Sequence, residues 1–224
     1  PTRTGPPTAA GRWSLLPQPE PDATVRAHAT ADLLLDRYGV VTRGSVVAEE
    51  VPGGFSQMYR VLTGFEDAGR CRRGYFVNGL GGAQFATSDV VDRLRAGEDE
   101  RREQTAVALA ATDPANPYGA ALPWPGTDGG HRPGRKAGAL VVLVDGELTL
   151  YVERGGRSLL SFTAEEAVLT HATEALAGMV KHRRVESILV EKVDGEAVHT
   201  AALAPLLTAA GFSPTPRGLR LRRV

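Results

Sequence analysis

The tripeptide Pro52-Gly53-Gly54 constrains this chain more than any other feature. It must separate two helical segments, because proline removes a backbone donor and glycine admits conformations that other residues avoid. Ahead of it, Thr42 predicts the cap of a short helix that turns Val46 and Val47 inward. Behind it, Phe55, Met58, Tyr59 and Leu62 recur at i, i+3, i+4 and i+7, extended by Phe65. That stripe predicts a buried-face helix over about 55–68, ended by Gly69. Residues 75–77 and 83–87 then read as two short apolar strands. Asn78-Gly79 and Gly81-Gly82 supply positive φ at the tip between them. Helix, turn, longer helix and glycine-tipped hairpin give residues 41–87 the outline of a winged helix.

The flanks complete it. Asp22 caps a helix through about residue 38, with Val25, Ala29, Leu33 and Leu34 expected on its inner face and Gly39 as its stop. Ser88-Asp89 opens a last short helix with Val90, Val91 and Leu94 facing in. In a helix-turn-helix the early outward residues of the second helix meet the major groove. Here those are Ser56, Gln57, Arg60 and Thr63. Glutamine can pair with adenine, and arginine with guanine or phosphate; in a winged helix that binds only protein, the same positions are ordinary solvated ones. Arg70, Arg72 and Arg73 lead into the wing, which commonly rests on backbone phosphates. Cys71 between them is either a thiol of lowered pKa or an ordinary wing residue.

Net charge is zero over 224 residues, so no global basic field advertises nucleic acid. Positive charge is instead local, at 70–73, 131–136, 181–184 and 217–223. A single cysteine excludes an internal disulfide and a cysteine-rich zinc site, and the five histidines lack metal-ligand spacing, so no metal is expected. No run approaches the roughly 18 apolar residues of a membrane span, and no secretory signal is apparent. A cytoplasmic protein without membrane partners is the expectation.

The chain divides by composition. Residues 1–11 (PTRTGPPTAAG) read as a linker, 12–97 as the winged helix with Trp13 as a core anchor, and 98–104 as a charged linker. Residues 105–224 follow as a barrel-like domain, mainly antiparallel, with strands at 105–112, 137–144, 148–153, 158–162 and 187–193. Helices are expected from a Thr163 cap to about Lys181 and over 197–210, and residues 219–221 add an edge strand. The fold class is therefore α+β: a winged-helix domain followed by a barrel-like α+β domain.

No GxxxxGK[ST] loop or GxSxG elbow is present. The loops of the second half are where chemistry would sit. Asp113 heads a proline-rich loop carrying Asn116, Tyr118 and Trp124, while His131, Arg132, Arg135 and Lys136 precede a buried strand. An acid, aromatic platforms at Tyr118 and Trp124 and nearby cations would suit a flipped or single-stranded base, with Asp113 as candidate catalytic group. Asp-Pro and Asn-Pro turn chemistry explains the same loop without any site.

The blocks ATDPANPYGAALPWP (111–125), RPGRKAGALVVLVDGELTLYVERGGRSLLSF (132–162) and LLTAAGFSPTPRGLRLRR (206–223), following a winged helix, resemble the C-terminal region of the large helicase-related (Lhr) superfamily 2 ATP-dependent DNA helicases. That resemblance covers nearly the whole chain after the first linker. It implies a DNA-binding or DNA-positioning module of a helicase engaged in DNA repair. DNA, single-stranded or duplex, and the rest of the helicase chain would be its partners. ATP and magnesium would belong to a motor elsewhere, and no cofactor to this piece. The architecture is also similar to AlkZ-type winged-helix DNA glycosylases. Their Asp loop, Arg-Gly and long hairpin are echoed by Asp113, Arg135, Gly138 and residues 140–152, but their catalytic Gln-x-Gln or Gln-x-Asp motif has no convincing equivalent here. The other roles it leaves open are a base-excision module and an oligomerisation module.

Overall fold

The computed structural model describes residues 14–97, 104–127 and 132–223. The linker 1–11, Trp13, His131 and nearly all of the charged linker lie outside them.

The first half is a winged helix. Helix α1 (Ala23–Tyr38) starts where Asp22 accepts the Thr24 and Val25 N–H groups at 2.7 and 3.4 Å, and stops at Gly39, whose φ is 66°. Its buried face is Ala27, Ala31, Leu34 and Leu35. Val25 and Leu33, expected inside, are each 51% exposed. The inner stripe is shifted because two alanines, rather than the larger residues, face α3 and leave room for its bulky side chains. Helix α2 (Arg43–Ala48) is held by a reciprocal capping box between Thr42 and Ser45. It buries Val46 but leaves Val47 exposed, contrary to expectation, since six residues offer only one inward line. Helix α3 (Gly54–Asp67) buries Met58, Leu62 and Phe65, with Phe55 and Tyr59 packed at the margin.

Strands β1 (Val40–Val41), β2 (Arg72–Gly74) and β3 (Gln84–Ala86) form a small antiparallel sheet in the order β1-β3-β2. The first wing strand thus lies before the expected 75–77, which belong to the wing loop. Helix α4 (Ser88–Ala96) buries Val91; Leu94 stands exposed.

The second half is built on a six-stranded sheet of order β10-β9-β7-β6-β5-β4. Its strands are β4 (Ala106–Ala110), β5 (Leu140–Val144), β6 (Glu147–Val152), β7 (Ser158–Ser161), β9 (Lys192–Val193) and β10 (Glu196–Ala197). Asp145 and Gly146 both take positive φ, 51° and 86°, as a type I′ hairpin requires. Every residue of β5 is buried, because the sheet is covered on both faces. On one side pack α5 (Glu166–Lys181) and α6 (Ala204–Ala209). On the other side Tyr118 and Trp124 of the proline-rich loop lie against Val141, Leu143, Leu148 and Tyr151.

The expected barrel is not what forms. The end strands β4 and β10 do not pair, and the segment expected as one strand over 187–193 is split between two sheets. Strand β8 (Ser187–Val190) pairs with β12 (Gly218–Arg222), which pairs in turn with β11 (Ser213–Thr215). The chain changes sheet at Glu191, whose N–H goes to the Arg157 carbonyl at 3.0 Å. Strand β12 is consequently central in its sheet, not an edge. Helix α5 begins at Glu166, and the expected helix over 197–210 is a 3-10 turn (Val198–Thr200) and then α6. The two halves touch where α2 meets the proline-rich loop: a Cβ on Gly44 would stand 2.9 Å from the Ala121 carbonyl oxygen.

Candidate nucleic-acid interface

Helix α3 is fixed by its buried stripe and by Tyr59, which meets Phe85 of β3 edge-on at 5.7 Å between centroids. Its outward side starts at an N-terminus with no side-chain cap, after Gly53 at φ 77°. A Cβ at Gly53 would fall 1.7 Å from Gln57 Oε1, so the Gln57 side chain is folded onto the turn rather than extended outward. Thr63 bonds back to the Tyr59 carbonyl at 2.9 Å. Ser56 and Arg60 are exposed. Arg60 has no hydrogen-bond or ion-pair partner among the described residues.

The three wing arginines have different fates. Arg70 bridges to Asp32 at 2.6 Å and lies 3.8 Å above the Phe65 ring, tying β2 to α1 and α3. Arg73 donates to Tyr59 Oη at 2.6 Å and pairs with Glu66 at 3.3 Å. Arg72 is exposed and, among the described residues, unpartnered. Cys71 between them is buried and points at the Leu62 carbonyl. Burial pushes its thiol pKa up, with Glu66 adding to the effect, which ends the reading of a thiol of lowered pKa.

The wing loop depends on Gln84, a fully buried polar side chain in an otherwise apolar strand. Its Oε1 accepts the Phe76 and Val77 N–H groups at 3.0 and 2.8 Å; its Nε2 donates to the Val77 and Gly81 carbonyls at 3.0 and 3.1 Å. Tyr75, placed by that loop, is 61% exposed, with its hydroxyl accepting the Gly79 N–H at 3.2 Å. The reading of 75–77 and 83–87 as two short apolar strands hid both, since it gave neither an exposed ring at Tyr75 nor a task for Gln84. A lone glutamine in an apolar strand beside glycines was the available signal.

The loops of the second half carry structure. Asp113 Oδ1 accepts the Ala115 N–H at 2.9 Å in an Asx turn. Asn116 is buried, and its amide bonds Ala111 O, Tyr118 O and Tyr118 N at 2.9, 3.3 and 3.1 Å. Arg135 spends its guanidinium on four carbonyls of this loop, those of Thr112, Asp113, Asn116 and Tyr118, at 2.7 to 3.3 Å. Lys136 pairs with Glu153 at 3.2 Å, and Arg132 is exposed. Tyr118 and Trp124 stack on each other at 6.3 Å and Trp124 meets Tyr151 edge-on at 5.7 Å, so these rings cover the sheet rather than stand open. The structure therefore brings Asp113, Tyr118, Trp124 and Arg135 together as the scaffold of one loop, well apart in sequence and role from the exposed arginines of α3 and the wing.

A winged helix joined to an open-sheet α+β domain is a module of the helix-turn-helix class. A family model of the winged-helix domain of the large helicase-related protein matches residues 20–106. An "Lhr helicase/ probable uracil glycosylase" of Mycolicibacterium smegmatis is 59% identical over 99% of this chain. An "Lhr helicase/uracil glycosylase" of Escherichia coli is 43% identical over 95% of it. The chain spans 15% and 14% of the lengths of these relatives. It belongs to the large helicase-related family, as a C-terminal region of it.

Proposed function

We propose that the chain holds or positions DNA for the motor of an Lhr-type ATP-dependent DNA helicase working in DNA repair, using the outer side of α3 and the wing. The observation that carries this is the contrast among neighbouring arginines. Arg60 and Arg72 are exposed with no partner among the described residues, while Arg70 and Arg73 are engaged within the protein. An uncompensated guanidinium can take a phosphate without first breaking an ion pair. The exposed Tyr75 ring at the wing adds a surface on which a base can stack. The test is a salt-titrated binding measurement with single-stranded and duplex oligonucleotides. Affinity should fall linearly on a log–log plot against salt, with the slope reduced by about 1–2 in Arg60→Ala/Arg72→Ala. Absence of binding at low salt would sink the reading.

The names of both relatives include uracil glycosylase, which favours a second reading: a base-excision module with Asp113 as the acidic group. Strand breaks in uracil-containing DNA after alkali, lost in Asp113→Asn with the fold retained, are its expected outcome. Cleavage equal to a no-protein control would dispose of it.

A further inference from the structure

We infer that the outer face of the β11-β12-β8 sheet, with the turn between α5 and β8, is a second contact surface for the sugar–phosphate backbone of nucleic acid. It extends the DNA-holding reading to the other half of the chain but does not require the α3–wing contact.

The sheet is two-faced. Leu219 and Leu221 of β12 turn inward opposite Val190 and Ile188 of β8, and all four join the main core. Arg220 and Arg222 therefore turn outward, opposite Leu189 and Ser187, and both are exposed. Two residues of strand separate them by about 7 Å, comparable with the spacing of successive phosphates along one strand. Strand β8 begins where the α5 turn ends, so the turn's cations lie at the Arg222 end of the sheet. That turn is fixed: Arg183 takes φ 61°, its N–H reaches the Val180 carbonyl, and the Arg184 and Val185 N–H groups both reach the Met179 carbonyl at 2.8 and 3.1 Å. Lys181 at the end of α5 and Arg183 and Arg184 on the turn are exposed, and Arg223 follows on β12's end.

Among the described residues none of these six cations has an ion pair or hydrogen bond from its side chain. Glu186 is the one carboxylate in the turn or on β12 and β8. Mutually repelling cations on a chain of zero net charge make a local field that an anionic partner would discharge. Five of the six are arginines, whose planar fork suits phosphate. The rest of the face is Ser187, Ser213 and the half-buried Leu189 and Thr215, with no Phe, Tyr or Trp on it or in the turn. It lacks the large anchor of a protein hot spot and the platform for reading bases. The surface should therefore follow backbone without base preference.

The experiment is a salt titration of the intact chain with a fluorescent oligonucleotide, comparing Arg183→Ser/Arg184→Ser/Arg220→Ser/Arg222→Ser with wild type and with Arg60→Ala/Arg72→Ala. The quadruple variant should unfold in urea at the wild-type midpoint, since all four side chains are exposed. Its log–log salt slope should fall by about 2–3 and its low-salt affinity at least tenfold. The corresponding Arg→Lys variant should recover most of the slope. Wild-type slope and affinity in the folded quadruple variant overturn the inference, including the case where it alters self-association in light scattering while DNA affinity stays. Loss in the quadruple variant alone supports this surface and removes the α3–wing reading; loss in Arg60→Ala/Arg72→Ala alone does the reverse. No binding by the wild type at low salt ends both.

Discussion

Gln84 and Val77 hold each other twice: the Val77 N–H donates to Gln84 Oε1 at 2.8 Å, and Gln84 Nε2 donates back to the Val77 carbonyl at 3.0 Å. A side chain thereby replaces the ladder that the wing strands lack beyond Gly74, and two further bonds to Phe76 and Gly81 complete it. Gln84→Ala would leave these backbone groups without partners. The expected cost is about 1–3 kcal/mol, because unmade bonds at partly buried groups forfeit their desolvation. Amide exchange at Phe76 and Val77 should accelerate while α3 stays protected. Unchanged protection at those two amides would show that the wing does not depend on Gln84.

Arg135 does for the proline-rich loop what Gln84 does for the wing. Its four carbonyl partners come from Thr112, Asp113, Asn116 and Tyr118. Arg135→Ala should lower the urea midpoint by the equivalent of about 1.5–3 kcal/mol, the range for hydrogen bonds to a charged group. Arg135→Lys should restore little, since an ammonium is a compact charge and cannot face four carbonyls along a planar fork. Full rescue by lysine would mean that charge, not geometry, holds the loop.

The sequence announced the elements more reliably than their faces. Thr42, Gly39, Asp145-Gly146 and the Met58–Leu62–Phe65 stripe speak through local chemistry, and the structure uses each as expected. Faces depend on what packs opposite. On α1 the inward line is Ala27 and Ala31, whose small size matters only because α3 lies there, so Val25 and Leu33 drew the wrong stripe. The open sheets were hidden because nothing local marks Glu191 as the point where the chain changes sheet. Arg135 looked like a phosphate ligand for the same reason: its partners are backbone carbonyls some 20 residues away, which leave no trace in composition.

Glu49 links α1 to α2, accepting Arg37 Nη1 at 2.6 Å and Tyr38 Oη at 2.8 Å. The Arg37 hydrogen bond, followed by that from Tyr38, holds its carboxyl below the usual range. Burial, and then Glu49 itself, pushes the Tyr38 hydroxyl up to about 12. A carboxyl whose folded pKa is depressed stabilises the fold fully above its unfolded value, about 4.3. That contribution disappears as pH falls through the lower folded value. Wild type should thus exceed Glu49→Gln in stability at pH 7, and the gap should close below about pH 4. Urea unfolding of both proteins at the two pH values measures it. A gap that stays constant would assign the difference to some other group.

Arg70 and Arg72 stand two residues apart on the same approach to the wing and should separate stability from binding. Arg70 is bound to Asp32 and stacked on Phe65, with its side chain 48% exposed. Removing it should cost about 1 kcal/mol, combining a surface ion pair with an exposed cation–π contact. It should leave the salt slope of DNA binding at its wild-type value, because Asp32 already neutralises that charge. Arg72 has no such attachment, so Arg72→Ala should leave the urea midpoint in place. It should lower the salt slope by about 0.7–0.9, the share of one phosphate contact on single-stranded or duplex DNA. Urea melts and salt titrations of the two single variants decide the matter together. If Arg70→Ala changed the slope and Arg72→Ala the stability, the division between a positioning arginine and a phosphate-facing one would be the wrong way round.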